Sequence, residues 1–243
     1  LTCSKRIQRD GFAPLVPGVT HIDYPHCSHC PIGPTEDGGC CLSMLDDLRT
    51  NVFGRKVAPE EVAAIVVEPI QGEGGYIVPP PEFLPALREL CDEHGILLVC
   101  DEVQAGMGRT GKMFAVEHFG IEPDIVCLAK GLASGMPLGA IVARESVMTW
   151  PPGSHASTFG GNPICCAASL ETIALLEEEL VDHTADVGRY LFARLEELRN
   201  RHPLITEVRG KGLMIGIELD TDCPELVQRG LDAGVLINVT AGN

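Results

Sequence analysis

No stretch of this 243-residue chain is apolar for long enough to span a bilayer. Its 18 Lys and Arg stand against 34 Asp and Glu, and no basic cluster is present that could neutralise a nucleic-acid backbone. Membrane-spanning and nucleic-acid-binding roles are therefore not expected, and a formal net charge of −16 mainly favours solubility. Residues 1–10 have neither a basic start nor an apolar core, so no signal peptide is expected and a cytoplasmic protein is implied. Internal repeats and low-complexity tracts are also lacking. What remains is a chain that is 45% hydrophobic, able to bury a sizeable core as one or two domains.

Cysteine, by contrast, is abundant, with eleven residues. Cys91, Cys100, Cys127, Cys165 and Cys166 fall inside apolar helix or strand patterns, as small hydrophobes do, and reduced thiols are expected there. Cys27, Cys30, Cys40 and Cys41 cluster near His21, His26 and His29, and Cys27 and Cys30 have C-x-x-C spacing. The second pair lacks ligand spacing, so the segment reads as a surface insertion, with a metal knuckle as the alternative.

Apolar runs at 61–67, 96–100, 125–129 and 139–143 read as strands, and 80–94 reads as an amphipathic helix with proline near its start. A short helix is expected at 114–120. Strands alternating with helices give an α/β fold, a mostly parallel sheet with crossover helices. From Pro163 a helical pattern runs to about 179 and, after a break, to about 200. Strands at 205–209, 213–219 and 235–239 and a helix at 223–233 then read as a smaller α+β piece.

Lys130 follows the apolar run 125–129, so its amine is expected at a strand's carboxyl end, where open α/β sheets hold their ligands. A lysine snorkelling into water is the ordinary reading. It is weakened by the upstream strand that ends in Asp101, with Gln104 three residues on. If the two strands are neighbours, Asp101, Gln104 and Lys130 share one crevice. An amine, a carboxylate and an amide suit pyridoxal phosphate: the lysine forms the Schiff base, the acid keeps the pyridine nitrogen protonated and the amide meets the ring's phenolic oxygen.

At this point the chain resembles the class III, fold-type I, pyridoxal-phosphate-dependent aminotransferases. The matching stretches are 67–75 (Val-Glu-Pro-Ile-Gln-Gly-Glu-Gly-Gly), 100–111 around Asp101-Glu102-Val103-Gln104, Leu128-Ala129-Lys130-Gly131, 157–163 around Thr158, 207–216 and 235–238, in the family's order. The resemblance implies the large cofactor domain over 1–165, and a connecting helix with part of the small C-terminal domain over 166–243. It implies pyridoxal 5'-phosphate as cofactor, Lys130 and Asp101 as catalytic residues, and Gln104 and Thr158 as further cofactor contacts, Thr158 reaching across a homodimer to the other subunit's phosphate. Glu68 and Glu73 are placed near the substrate, Glu73 as the acid that pairs with a later arginine. Arg109 has a mostly structural role, and no metal is required at the site.

The reaction implied is transamination from an amino acid, most closely a 4-aminobutyrate-type donor, to a 2-oxo acid such as 2-oxoglutarate. Acetylornithine and ornithine aminotransferases, and racemases or aminomutases of the same fold, are the alternatives, with an inactive fragment as a further one. Against the family the phosphate loop, the aromatic that stacks on the ring and the carboxylate-binding arginine are missing, so an incomplete domain is expected. Expressed alone, such a piece is expected to bind the cofactor weakly.

Overall fold

The structure, a computed structural model, describes residues 8–30 and 42–240; Cys40 and Cys41 lie outside them. Helix α1 (Ser43–Asp47) runs into a wide turn over Leu48–Phe53. Its Met44, Leu45, Leu48 and Val52 enter the main core.

Strands β1 (Ala64–Val67), β2 (Leu97–Asp101), β3 (Ile125–Leu128) and β4 (Ala140–Ala143) form one sheet in that order. The first three are parallel, while β4 returns antiparallel to β3. All four expected strands thus form, the first three residues shorter at its start because Pro59–Glu61 makes a 3₁₀ turn instead.

Helix α2 (Phe83–His94) is the crossover from β1 to β2. It buries Phe83, Leu84, Leu87, Leu90 and Cys91, a stripe at i, i+1, i+4, i+7 and i+8 that can face only one way. Each large apolar side chain so buried stabilises the fold by about 1.5–3 kcal/mol. Gly95 ends the helix at φ 66°, a left-handed conformation available to glycine without a Cβ clash.

Polar groups lock the crossovers. Arg88 on α2 donates through Nη1 to Asp124 Oδ2 at 2.7 Å, and the Leu98 N–H of β2 donates to the same oxygen at 2.7 Å. Burial works against the Asp124 carboxylate, but these two donors outweigh it and hold its pKa below the usual range. Glu102, 1% exposed, accepts from the Val116 N–H at 2.9 Å. Burial pushes its pKa up to about 7, and its second oxygen has no hydrogen-bond partner.

The helical region after Pro163 does not break. Helix α3 (Pro163–Leu175) passes through a π-type turn, Leu176–Leu180, into α4 (Val181–Arg201). The wide turn keeps the axis going where the apolar pattern changes phase, and so produces the signature of a break in the sequence. Strands β5 (Ile205–Lys211) and β6 (Met214–Leu219) form an antiparallel hairpin, followed by α5 (Glu225–Asp232). The strand expected at 235–239 does not form. The Val235 N–H bonds back to Gly230 O at 2.8 Å and closes the end of α5 instead of entering a ladder.

Cys91, Cys100, Cys127, Cys165 and Cys166 carry thiols as expected, and burial raises the pKa of Cys100 to about 12. Cys27, in the segment read as a surface insertion or a metal knuckle, is disulfide-bonded. No helix among the described residues is long and apolar enough to cross a membrane.

Candidate active site

The three parallel strands each deliver one charged side chain at the carboxyl edge of the sheet. Glu68 follows β1 directly, Asp101 is the last residue of β2 and Lys130 lies two residues beyond β3. Because β1, β2 and β3 are consecutive neighbours, chain segments 33 and 29 residues apart are brought side by side there. This is the crevice in which open α/β sheets bind ligands.

Asp101 and Lys130 both act electrostatically on Glu68. Burial raises the Glu68 pKa first; the N–H of Gly72, donating to Glu68 Oε2 at 2.8 Å, opposes this. Asp101 and Glu73 then push it up and Lys130 pulls it down. Glu68 is thus a half-buried carboxyl poised between a carboxylate and an amine. Asp101 Oδ1 accepts from the Val103 N–H at 3.0 Å, which fixes the carboxylate at the strand end.

Lys130 is exposed at the crevice, and its backbone is left-handed with φ 47°. A non-glycine residue in this region carries a cost of order 1–3 kcal/mol that its surroundings must hold in place. Here they do: the turn Lys130–Ala133 buries Ala133 and packs Leu132 in a cluster with Met107, Leu128 and Leu176, and Ser134 Oγ hydrogen-bonds Thr172 Oγ1 of α3 at 2.9 Å. The lysine is presented by a rigid, strained turn instead of a loose strand exit.

Gln104 is drawn to the same edge by contact with the β1 loop. A Cβ on Gly72 would stand 2.5 Å from Gln104 Cγ, so glycine leaves the room that the Gln104 side chain fills. Beyond Gln104 a cavity of about 290 Å³ is lined by Tyr76, Met107, Leu176 and Met214; Lys130 and Asp101 do not line it. Glu73 is exposed in the loop after Gly72. Thr158 is exposed ahead of α3, and the helix is capped by Asn162, whose Oδ1 accepts from the Ile164 and Cys165 N–H groups. Capping is therefore not what Thr158 does. Arg109 is exposed, and its carbonyl accepts from the Leu213 N–H at 3.0 Å, tying the hairpin to the loop after β2.

Two supporting residues were not singled out in the sequence. The Tyr24 hydroxyl donates to the carbonyls of Glu68 and Pro69 at 3.0 and 3.1 Å and so anchors the β1 exit. Arg209 donates through Nε to Gly75 O at 2.8 Å, fastening the loop that carries Glu73 to the hairpin. The lone tyrosine before Pro25 gave no signal of its own. Arg209 lies inside a matching motif but at a strand position, where its long-range partner cannot be read from spacing.

Residues 1–243 match the family model for aminotransferase class-III, and the chain belongs to that family. It is 41% identical over 235 residues to the acetylornithine aminotransferase of Caldanaerobacter subterraneus subsp. tengcongensis, covering 96% of this chain and 54% of that protein. It is 46% identical over 243 residues to the putrescine aminotransferase of Pectobacterium atrosepticum, covering 95% and 48%. The crystal structure of ornithine aminotransferase from Toxoplasma gondii ME49 superposes with a TM-score of 0.81 at 36% identity, over 96% of this chain and 52% of that one. The chain spans about half the length of the curated relatives it matches.

The family's cofactor is pyridoxal 5'-phosphate, and the residues at the sheet edge fit it. An amine on a rigid turn, a carboxylate fixed by a backbone N–H and a polar amide packed on a glycine converge from β3, β2 and the loop after β2. Lys130 would hold the group and Asp101 would face its ring nitrogen. When bound, the group supplies an acceptor for the electron pair released at the substrate carbon.

Proposed function

We propose that the protein containing this chain is a transaminase that moves the amino group of ornithine or a derivative such as N-acetylornithine to a 2-oxo acid, with 2-oxoglutarate the expected acceptor. The observation that carries this reading is the convergence of Glu68, Asp101 and Lys130 at the carboxyl ends of three adjacent parallel strands. Lys130 would hold the cofactor through its amine and would serve as the group that moves a proton at the substrate carbon. Asp101 keeps a compensating negative charge beside the ring nitrogen. Gln104 orients the ring, and Thr158 reaches the phosphate of a second subunit in a homodimer.

The names of similar proteins support ornithine derivatives and putrescine as donors more than 4-aminobutyrate. Putrescine is a four-carbon diamine, and ornithine carries a like terminal amine on a short chain that ends in an α-amino acid. Glu68 and Glu73 are the carboxylates available to such a substrate, and Glu68, half-buried with a raised pKa, is suited to a polar contact near the reacting end.

The test is a half-reaction with single amino donors, followed by the change in cofactor absorbance. N-acetylornithine or ornithine should convert the cofactor at least about tenfold faster than 4-aminobutyrate, a difference of about 1.4 kcal/mol in the barrier. Faster reaction with 4-aminobutyrate would reverse the substrate assignment. Racemisation of an amino acid without any 2-oxo acid would replace transamination altogether.

A further inference from the structure

Glu207 of β5 and Glu218 of β6 are paired directly across the hairpin ladder. Two carboxylates in this relation repel one another, and the sheet must supply positive charge to keep them. Arg209 Nη1 gives part of it, donating to Glu207 Oε2 at 2.8 Å and also to Glu218 Oε2. The same arginine is held independently through Nε on Gly75 O.

The segment around Cys27–His29 brings two imidazoles onto this pair. His26 and His29 are separated by one 3₁₀ turn, Cys27–His29, which sets their rings 4.6 Å apart between centroids and points both at the hairpin. His29 Nε2 lies 2.6 Å from Glu218 Oε1, and His26 Nε2 lies 3.7 Å from Glu207 Oε2. At 3.7 Å His26 is beyond hydrogen-bond reach, and its Nε2 is buried with no hydrogen-bond partner. A buried polar atom left in this way calls for an explanation.

We propose that His26, His29, Glu207 and Glu218 form a structural site for a divalent, zinc-type cation. Their ligand atoms all lie within 4.8 Å of one another. Tetrahedral zinc with Zn–N and Zn–O bonds of about 2.0–2.2 Å needs its ligand atoms about 3.3 Å apart, so the shell is completed when the wider pairs close by up to about 1.5 Å and the 2.6 Å pair of His29 Nε2 and Glu218 Oε1 opens by about 0.7 Å. Two imidazole nitrogens and two carboxylates are a donor set that zinc accepts and that calcium and magnesium, which prefer oxygen alone, do not.

Arg209 does not block the ion. If the ion takes Glu207 Oε2 and Glu218 Oε1, the arginine keeps Glu218 Oε2 and Gly75 O. The side chain of His29, 56% exposed, gives the ion a path from solvent, while Glu218 at 14% and His26 at 18% form the closed side. Cys27, which the spacing offered as a thiolate ligand, is disulfide-bonded and contributes none. A metal here would clamp the 26–29 turn onto the hairpin. Through Arg209 and Gly75 it would also brace the loop that carries Glu73. The site shares no residue with the cofactor crevice, and it does not depend on the proposed reaction.

The test uses protein expressed without a tag from the reading frame that contains this chain, stripped with a chelator and titrated with zinc chloride, then with cobalt chloride. Wild type should retain about one zinc equivalent per chain through gel filtration and unfold at a higher temperature with zinc than without. Cobalt should give the visible bands of a tetrahedral nitrogen–oxygen site and no near-ultraviolet thiolate charge transfer. His26→Gln and Glu218→Gln, with unchanged circular dichroism and the same cofactor load, should bind zinc at least roughly tenfold more weakly. The equal cofactor load removes metal held by the cofactor itself. Absence of bound zinc in wild type, a thiolate band with cobalt, or undiminished binding in both variants would overturn the proposal. Should either variant fail to fold, the cobalt spectrum of wild type decides alone.

Discussion

Gly72 and Gln104 pack so closely that a Cβ on the glycine would stand 2.5 Å from Gln104 Cγ and 2.8 Å from its Cβ. The contact joins the loop after β1 to the loop after β2, and so sets the position of Glu68, whose Oε2 accepts from the Gly72 N–H. Gly72→Ala should destabilise the fold by about 1–3 kcal/mol through overpacking. The double variant with Gln104→Gly should recover most of that loss, because both the Cγ and the Cβ that obstruct the new methyl group are gone. Denaturant unfolding of both single variants and the double variant measures the coupling. Additive effects would show that the two loops do not depend on this contact.

Glu102 predicts a pH dependence. Its pKa in the fold is raised from 4.5 to about 7 by burial, so the folded state holds a proton that the unfolded state releases earlier. The stability from this group is fully present below about pH 4.5 and is lost as the pH rises through about 7. Glu102→Gln keeps an oxygen for the Val116 N–H and removes the titration. Relative to wild type, the variant should therefore gain about 3 kcal/mol between these limits. Thermal unfolding of both proteins at a series of pH values checks this; parallel curves would mean that the fold does not raise the Glu102 pKa.

Asp101 is expected to matter for rate and not for folding. Its Oδ1 is held by the Val103 N–H, a bond that asparagine can also accept. Asp101→Asn should lower kcat by several orders of magnitude, on the scale of ~4 kcal/mol or more of lost electrostatic stabilisation. Its melting temperature should stay close to wild type. A rate within about tenfold of wild type would place the carboxylate away from the ring.

The strand order and the convergence at its carboxyl edge were legible in the sequence because they follow from local signals. Apolar runs ending in Asp101 and Lys130 identify strands, and helical crossovers make such strands parallel neighbours. Three things were not legible. The π-type turn at Leu176–Leu180 shifts the apolar phase of a continuous helix, and the shift imitates a break. Val235 has the β-branched character of a strand residue, but its N–H is used to close α5. The approach of His26 and His29 to Glu207 and Glu218 joins residues 189 apart at the His29–Glu218 contact, and no periodicity encodes a distance of that kind.

The central claim is that Lys130 is the residue that holds the cofactor, and borohydride reduction followed by peptide mapping tests it most directly. Protein expressed from the reading frame that contains this chain, incubated with pyridoxal 5'-phosphate and reduced, should carry the pyridoxyl group on the peptide containing Lys130, whose left-handed turn presents its amine at the sheet edge. Lys130→Ala should abolish both the label and turnover while leaving the fold intact. A label found on Lys56, Lys112 or Lys211, or label retained in the Lys130→Ala protein, would contradict the account.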